Sequence, residues 1–566
     1  MARNGRIAAT FFLGALAAAA QSTPAAADWL PGGALYTLQI NQPAALLDLA
    51  TTLKLTSLFT GPTSDKGFQG IVDTLAKGAG TDSKGLVRNL TGGGVTYAMY
   101  PGETSVWVID AQDARVLDHL QQFVKVMVGA QRLTSPASTK TPSSFYQEYP
   151  GNVAAWSFDG KQFFARTGNR LILASRSETL KTLFAPHPQN ILSSAPQYQE
   201  AKRAAAGSNA AWAYVNMAVF SQIPPIQKAL ATNDPLDSIL NGAWKQSLQN
   251  VHWIAASFRV EGKKLNLHVA TDGHLPTTAA GAFSSPGDTG VLPNLTVPHQ
   301  LAAVTLWRDL GKFYAVKDTL FPLKTSGGIL LENFLEIFFT GRNLAEEVFN
   351  RFHPQVRLVV ARQQFAPAIG TPDEQYPAVA LIFRTDPKTS ADFGEVLEEA
   401  WQKAVGLTNF TRGQQALPGL ILDRQTYGGA TFTFGAFSAR TEKDRAHLPS
   451  RFNLRPSIVR DGPYIILSST DGLARDLIDA VNREDGRTPA KTTDAHTVLE
   501  ITSPAEIAAL LAINKPAMVR QSVLEKGTKP EQAAREFDQN VAWLDKITHA
   551  KLSIAGNQAD LELELK

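Results

Sequence analysis

The side chains best equipped for chemistry in this 566-residue chain are scattered, and their spacing limits what they can do. His252 and His268 fall on the two arms of one strand-turn-strand ribbon. A histidine pair can hold a divalent metal if a third ligand joins it. No third ligand is in view, and 294 positions further on Lys546 and Glu562 stand in their places, so no metal site is assigned. Arg166 and Arg460 share that same spacing, each at the foot of a hairpin. Either could grip a carboxylate or other anion with both guanidinium arms; a turn-flanking ion pair within the fold is the plainer reading. Glu346-Glu347 and Glu398-Glu399 read as solvated helix faces, and Asp110 and Asp386, each following a strand, read as helix caps.

The local patterns of common enzymes are missing. There is no Gly-x-Ser-x-Gly elbow, no serine three residues before a lysine, no His-Glu-x-x-His, no phosphate-binding loop before Lys-Ser/Thr and no calcium loop. Gly78-Ala79-Gly80 and Thr91-Gly92-Gly93-Gly94 are near misses: the first sits between helices, the second runs into a strand. No catalytic residue and no cofactor is therefore named. The stretch that reads best as a contact surface is Ile329–Phe339. There Ile329, Leu330, Phe334, Leu335, Phe338 and Phe339 cover most of a helix circumference. Such a helix is either buried on several sides or offers an apolar face to a ligand, a lipid or a partner.

The elements that would carry these residues come in duplicate. Gly160–Phe184 reads as strand, tight turn at Gly168-Asn169, apolar strand, then helix, and Pro456–Ile478 repeats it without a gap. Arg166 falls on Arg460, Gly168 on Gly462, Ser175 on Ser469 and Leu183 on Leu477. A closing ribbon with its turn at Gly262 returns at Gly556, at the same spacing. Leu561, Leu563 and Leu565 alternate with Asp560, Glu562 and Glu564, the mark of a strand with one wet and one buried side. The pattern predicts an α+β protein made by tandem duplication, each copy an antiparallel sheet with helices packed on one face. Boundaries follow from composition: 1–27 a signal peptide, 28–270 the first repeat, 271–296 a Pro/Gly-rich linker and 297–566 the second repeat.

Arg3 and Arg6, the apolar run Ile7–Ala20 and the small residues Ala25-Ala26-Ala27 predict export, with cleavage after Ala27 and no transmembrane span beyond it. The absence of cysteine removes disulfides and thiolate chemistry, and suits a periplasmic or extracellular bacterial protein stabilised by its core. Apolar residues make up 44% and charged residues 19%, which is globular composition. The formal charge of +3 includes Arg3 and Arg6, so the mature chain is nearly neutral, and no basic stripe points to nucleic acid.

With the Leu-Pro-x-x-Ala-Leu-Tyr opening at 30–36 and the Gly-Asn-Arg-Leu-Ile-Leu-Ala-Ser hairpin at 168–175, the chain resembles exported bacterial proteins that carry a domain of unknown function. That resemblance implies an envelope protein and brings no activity with it. The expectation is a non-catalytic binding or scaffold protein, holding an apolar ligand between or within its copies or docking on another envelope protein. Its rival is an envelope hydrolase whose site is confined to one copy and follows no motif.

Overall fold

A computed structural model describes residues 25–566 apart from 53–75, 79, 135–143, 150–152, 185–189, 206, 208, 232–234, 274–278, 287–289, 321–325, 366–370, 386–391, 438–447 and 486–492. Most of the expected leader, and Asp386, lie outside the described residues.

In the first copy the strands are β1 (Tyr36–Ile40), β2 (Gly94–Tyr100), β3 (Thr104–Asp110), β4 (Phe145–Tyr149), β5 (Val153–Ser157), β6 (Phe163–Thr167), β7 (Arg170–Ala174), β8 (Ala211–Asn216), β9 (Trp253–Glu261) and β10 (Lys264–Thr271). They pair antiparallel in the order β4-β5-β6-β7-β3-β2-β1-β8-β9-β10. The second copy supplies β11 (Gln300–Trp307), β12 (Phe352–Ala361), β13 (Ala378–Thr385), β14 (Leu420–Tyr427), β15 (Ala430–Phe437), β16 (Ser457–Asp461), β17 (Tyr464–Ser468), β18 (Thr497–Ile501), β19 (Ile547–Ala555) and β20 (Gln558–Leu565). Their order is β14-β15-β16-β17-β13-β12-β11-β18-β19-β20, again antiparallel throughout. Strand for strand, the two topologies are the same, and the fold is a duplicated α+β unit.

The turns repeat as well. Gly168, Gly262, Gly462 and Gly556 all have positive φ, between 51° and 62°. Each opens a two-residue turn between closing pairs such as Thr167 with Arg170 and Asp461 with Tyr464. That left-handed backbone is costly for residues with a Cβ, which explains why glycine recurs at the same place in both copies.

Helices add to the expected single covered face. In β3, Val106 and Val108 join one apolar cluster while Ile109 and Trp107 face another. The second of these clusters holds α1 (Ser83–Thr91) and α2 (Ala114–Thr134), through Leu86, Leu90, Val116, Leu117, Val124 and Val128. The first holds α3 (Ser177–Leu183) and α4 (Pro196–Ala204), through Leu180, Leu183, Tyr198 and Ala201. The centre of the sheet is thus covered on both sides, and its strands read as apolar runs rather than alternations. Asp110 is not a cap. It ends β3 and binds buried Arg170 with both carboxylate oxygens, at 2.6 and 3.0 Å, while Asp113 takes the start of α2 through the amide of Arg115.

The compact units do not follow the repeat boundaries. One comprises Met1–Gln227 with Val251–Asp272, the other Lys228–Asn250 with Gly273–Lys566. Helix α5 (Pro235–Gln249), by sequence part of the first copy, packs within the second unit. There it meets α6 (Ala279–Ser284), inside the stretch whose composition reads as linker, and α7 (Leu310–Leu320). Its buried side is Ser238, Gly242, Ala243 and Ser247, whereas Leu236 and Leu240 are exposed, so the packed side of α5 is its small one. Small residues win that face because they let the α6 residues Ala280 and Phe283 come close to Gly242.

Arg308 fastens α5 in place. It is 2% exposed, and among the described residues no carboxylate pairs with it. Its guanidinium donates to the carbonyl oxygens of Ile239 (2.6 Å), Leu240 (3.1 Å) and Trp307 (2.6 Å), and to the Thr497 hydroxyl (3.2 Å). Burial lowers its pKa to about 10, so it stays charged at neutral pH.

Candidate functional site

The helix singled out by its sequence is α8 (Ser326–Phe338). Its surroundings divide its circumference. Leu331 packs against the cluster formed by Phe283, Phe313 and Leu320. Phe338 is buried, with its ring 4.5 Å from that of Phe334; Leu335 and Phe339 are half-buried. The other side is open: Ile329 is 50%, Phe334 57% and Ile337 54% exposed. The apolar excess of α8 therefore serves both a core and a surface.

A groove of about 800 Å³ runs beside the end of α8. Glu332, Asn333, Glu336, Ile337 and Phe339 form one wall, and Tyr314 of α7 and residues 340–345 the other. Asn343 closes the far end: its side-chain oxygen accepts from the amides of Ala345 and Glu346 and so opens a single π turn, Leu344–Val348. Such turns interrupt regular helix where a side chain must be re-aimed. Glu332 is held by the Tyr314 hydroxyl at 3.3 Å and Lys317 at 3.2 Å. Burial and then the Glu332 charge push the Tyr314 hydroxyl up, so it remains a neutral donor at neutral pH. Volume and mixed lining fit a small-molecule or peptide groove.

Helix α9 (Phe393–Gln414) lies alongside α8. Arg342 meets Glu399 at 3.4 Å and the Lys403 ammonium donates to the Phe338 carbonyl at 3.3 Å. Arg342 follows α8 and Phe338 ends it, so these contacts join the end of α8 to the middle of α9. Leu407 and Phe410 of α9 are also exposed.

The two arginines read as candidate contacts each serve ion pairs within their own copy. Arg166 is buried and binds Asp118 (2.7 Å) and Gln121 (2.8 Å) on α2. Arg460 approaches Glu395 (3.7 Å) and Glu398 (3.4 Å) on α9. In both copies a hairpin arginine thus reaches two residues one turn apart on the helix above, which is the ion-pair reading. Glu398 corrects an expectation: it is 5% exposed, not solvated, and also bonds Arg424 and the Thr433 hydroxyl. Burial raises its pKa, but the bonds from Arg424 and Thr433 and the charges of Arg424 and Arg460 outweigh that and hold it below the usual carboxylate value. Adjacent Glu399 stays at the surface, paired with Arg342 and Lys403. Sequence periodicity could not separate these neighbours, because it does not show which face β14 and β16 will cover.

His252 and His268 are not a pair. Strand register sets Ser257 opposite His268, and His252 binds Asp272 at 2.8 Å. Among the described residues no group of three or more metal-ligating side chains converges, and no helix is long and apolar enough to cross a membrane.

No protein-family model matches the chain, and no curated protein matches it. Among solved structures, "Structure of crystal form III of TP0453" is similar at a TM-score of 0.24 and 10% identity, over 45% of this chain and 80% of that one. Crystal form IV of TP0453 gives the same score and identity over 43% and 79%. Likeness at that level carries no inference about this chain.

Proposed function

We propose that the protein is an exported bacterial envelope protein that works by binding rather than catalysis, with α8 and the groove beside it as its contact surface. The observation that supports this is the exposure of Ile329, Phe334 and Ile337 on one side of a helix whose other side is already packed. Covering such side chains gains roughly 1.5–3 kcal/mol each when burial is complete, so closing over the exposed halves of the three is worth about 2–4 kcal/mol to a partner or ligand. The leader, with its arginines and Ile7–Ala20, supports export, and the lack of cysteine agrees with it. The occupant suited to the open side of α8 is an apolar molecule or an apolar segment of another envelope protein. Native mass spectrometry of the protein drawn from its own envelope tests this, with a Phe334→Ser/Ile337→Ser variant beside it. The expected result is a bound mass or partner on wild type that the variant loses. A clean wild-type spectrum, or retention by the variant, overturns the assignment to α8.

A further inference from the structure

We propose that the first copy carries a second, polar binding site: a cleft for a small acidic sugar, either a sugar acid or a sugar phosphate. The cleft has a volume of about 630 Å³ and lies where α4 crosses the ends of β1 and β8. This size suits one or two sugar rings.

Its floor is rigid and aromatic. Tyr198 and Trp212 are both buried, with ring centroids 5.3 Å apart. The Trp212 indole N–H donates to the Gln39 side-chain oxygen at 2.9 Å. That bond fixes the Gln39 amide and leaves its NH₂ group as a donor at the cleft. On the rim, the Asn41 amide donates to the Asn209 side-chain oxygen at 2.6 Å, which leaves the Asn41 oxygen to accept. The Gln199 NH₂ is committed to the Ser193 carbonyl at 2.9 Å, so its oxygen is also an acceptor. Oriented amides offering both donors and acceptors match hydroxyl groups, which need one of each.

Two cations complete the lining. Lys202 and Arg203 stand in the last turn of α4, both exposed. Among the described lining residues none is acidic. Glu200, on the same helix, is turned away and accepts from the Trp253 indole at 3.2 Å. An anionic group on a hydroxylated ligand thus meets charge-assisted donors and no opposing carboxylate.

The second copy lacks this arrangement, so the fold itself does not require it. With Gly262 aligned on Gly556, strand registers place Glu500 where the first copy has Trp212, and Ala303 where it has Gln39. Glu500 is consumed internally, by Asn294 at 3.0 Å and Lys551 at 3.6 Å. One copy keeps a filled structural position; the other keeps an open polar one.

The test is calorimetric titration of the full mature chain with glucuronate and with glucose 6-phosphate, and with glucose and inorganic phosphate as controls. At least one acidic sugar is expected to bind saturably at one site per chain, with glucose and phosphate each at least tenfold weaker. Which acid binds distinguishes a carboxylate from a phosphate ligand. The Lys202→Ala/Arg203→Ala variant is expected to lose at least tenfold in affinity with an unchanged melting curve. Gln39→Ala, which spares both cations, is expected to weaken sugar binding without gaining affinity for phosphate. Failure of both acids to saturate at millimolar concentration overturns the proposal, as does phosphate binding as tightly as the sugar phosphate. Undiminished binding by the double variant also overturns it, since the cations would then serve only the helix end.

Discussion

Acid should destabilise the second unit through one buried histidine. His496 precedes β18, with its ring Nδ1 2.9 Å from the Thr497 hydroxyl, and its backbone oxygen accepts from Trp307. Burial, then the charge of Arg308, lower its pKa from 6.5 to about 3. The folded protein therefore binds this proton less readily than the unfolded chain. The contribution is fully present above pH 6.5 and is lost as pH falls through the window from about 6.5 to about 3. Linkage gives a slope of up to about 1.4 kcal/mol per pH unit in that window, or about 3 kcal/mol between pH 7 and pH 4. Urea unfolding of wild type and His496→Gln at pH 7, 6, 5 and 4 isolates this proton, because other titrating groups are common to both. The variant is expected to be less stable at pH 7 and to close the gap by about 3 kcal/mol at pH 4. Parallel losses across the series would refute the assignment.

Arg308→Met should cost about 3–5 kcal/mol, because it strands the Ile239, Leu240 and Trp307 carbonyls without their donor; urea midpoints measure it. Glu398→Gln should be milder than Glu398→Ala, since the first copy already places Gln121 opposite its hairpin arginine. Loss of all acceptors in the alanine variant should cost about 2–4 kcal/mol in the same assay. Gly462→Val puts a β-branched residue at φ 51° and should lower stability by about 1–2 kcal/mol in a thermal melt. Ala26 and Ala27 are buried, and the Ala26 carbonyl accepts from Leu30. A chain starting at Asp28 should therefore be about 1–2 kcal/mol less stable than one starting at Gln21. Urea midpoints of the two chains measure the difference.

The duplicated architecture was legible because its signals are local. Glycines at 168, 262, 462 and 556 mark turns that need positive φ, and the apolar strands beside them keep their register. The candidate helix was legible for the same reason: an excess of apolar residues over one buried stripe shows in the sequence itself. What stayed hidden depends on which elements meet. Glu398 and Glu399 are equivalent until β14 and β16 choose one of them. Leu236 and Leu240 look like a core stripe until the small side of α5 is taken by α6. The cleft below α4 gave no signal, because Gln39 and Asn41 are far in the chain from Tyr198 and Trp212 and the four belong to no motif.

The loan of α5 has a consequence for how the chain is made. Residues 235–249 leave the ribosome before the segments that will enclose them at 279–284 and 310–320. β9 and β10 follow directly and complete the first unit at Thr271, so a finished fold must carry an unhoused helix until α7 has been made, up to Leu320. Ile239 and Ala243, which pack with Phe283 and Phe313 in the finished unit, stand uncovered in that interval, and a chaperone that grips short apolar segments would find its natural handle there. A gene cut at the apparent linker would make the interval permanent, leaving one fragment with a helix that has no home and the other with a gap where it belongs.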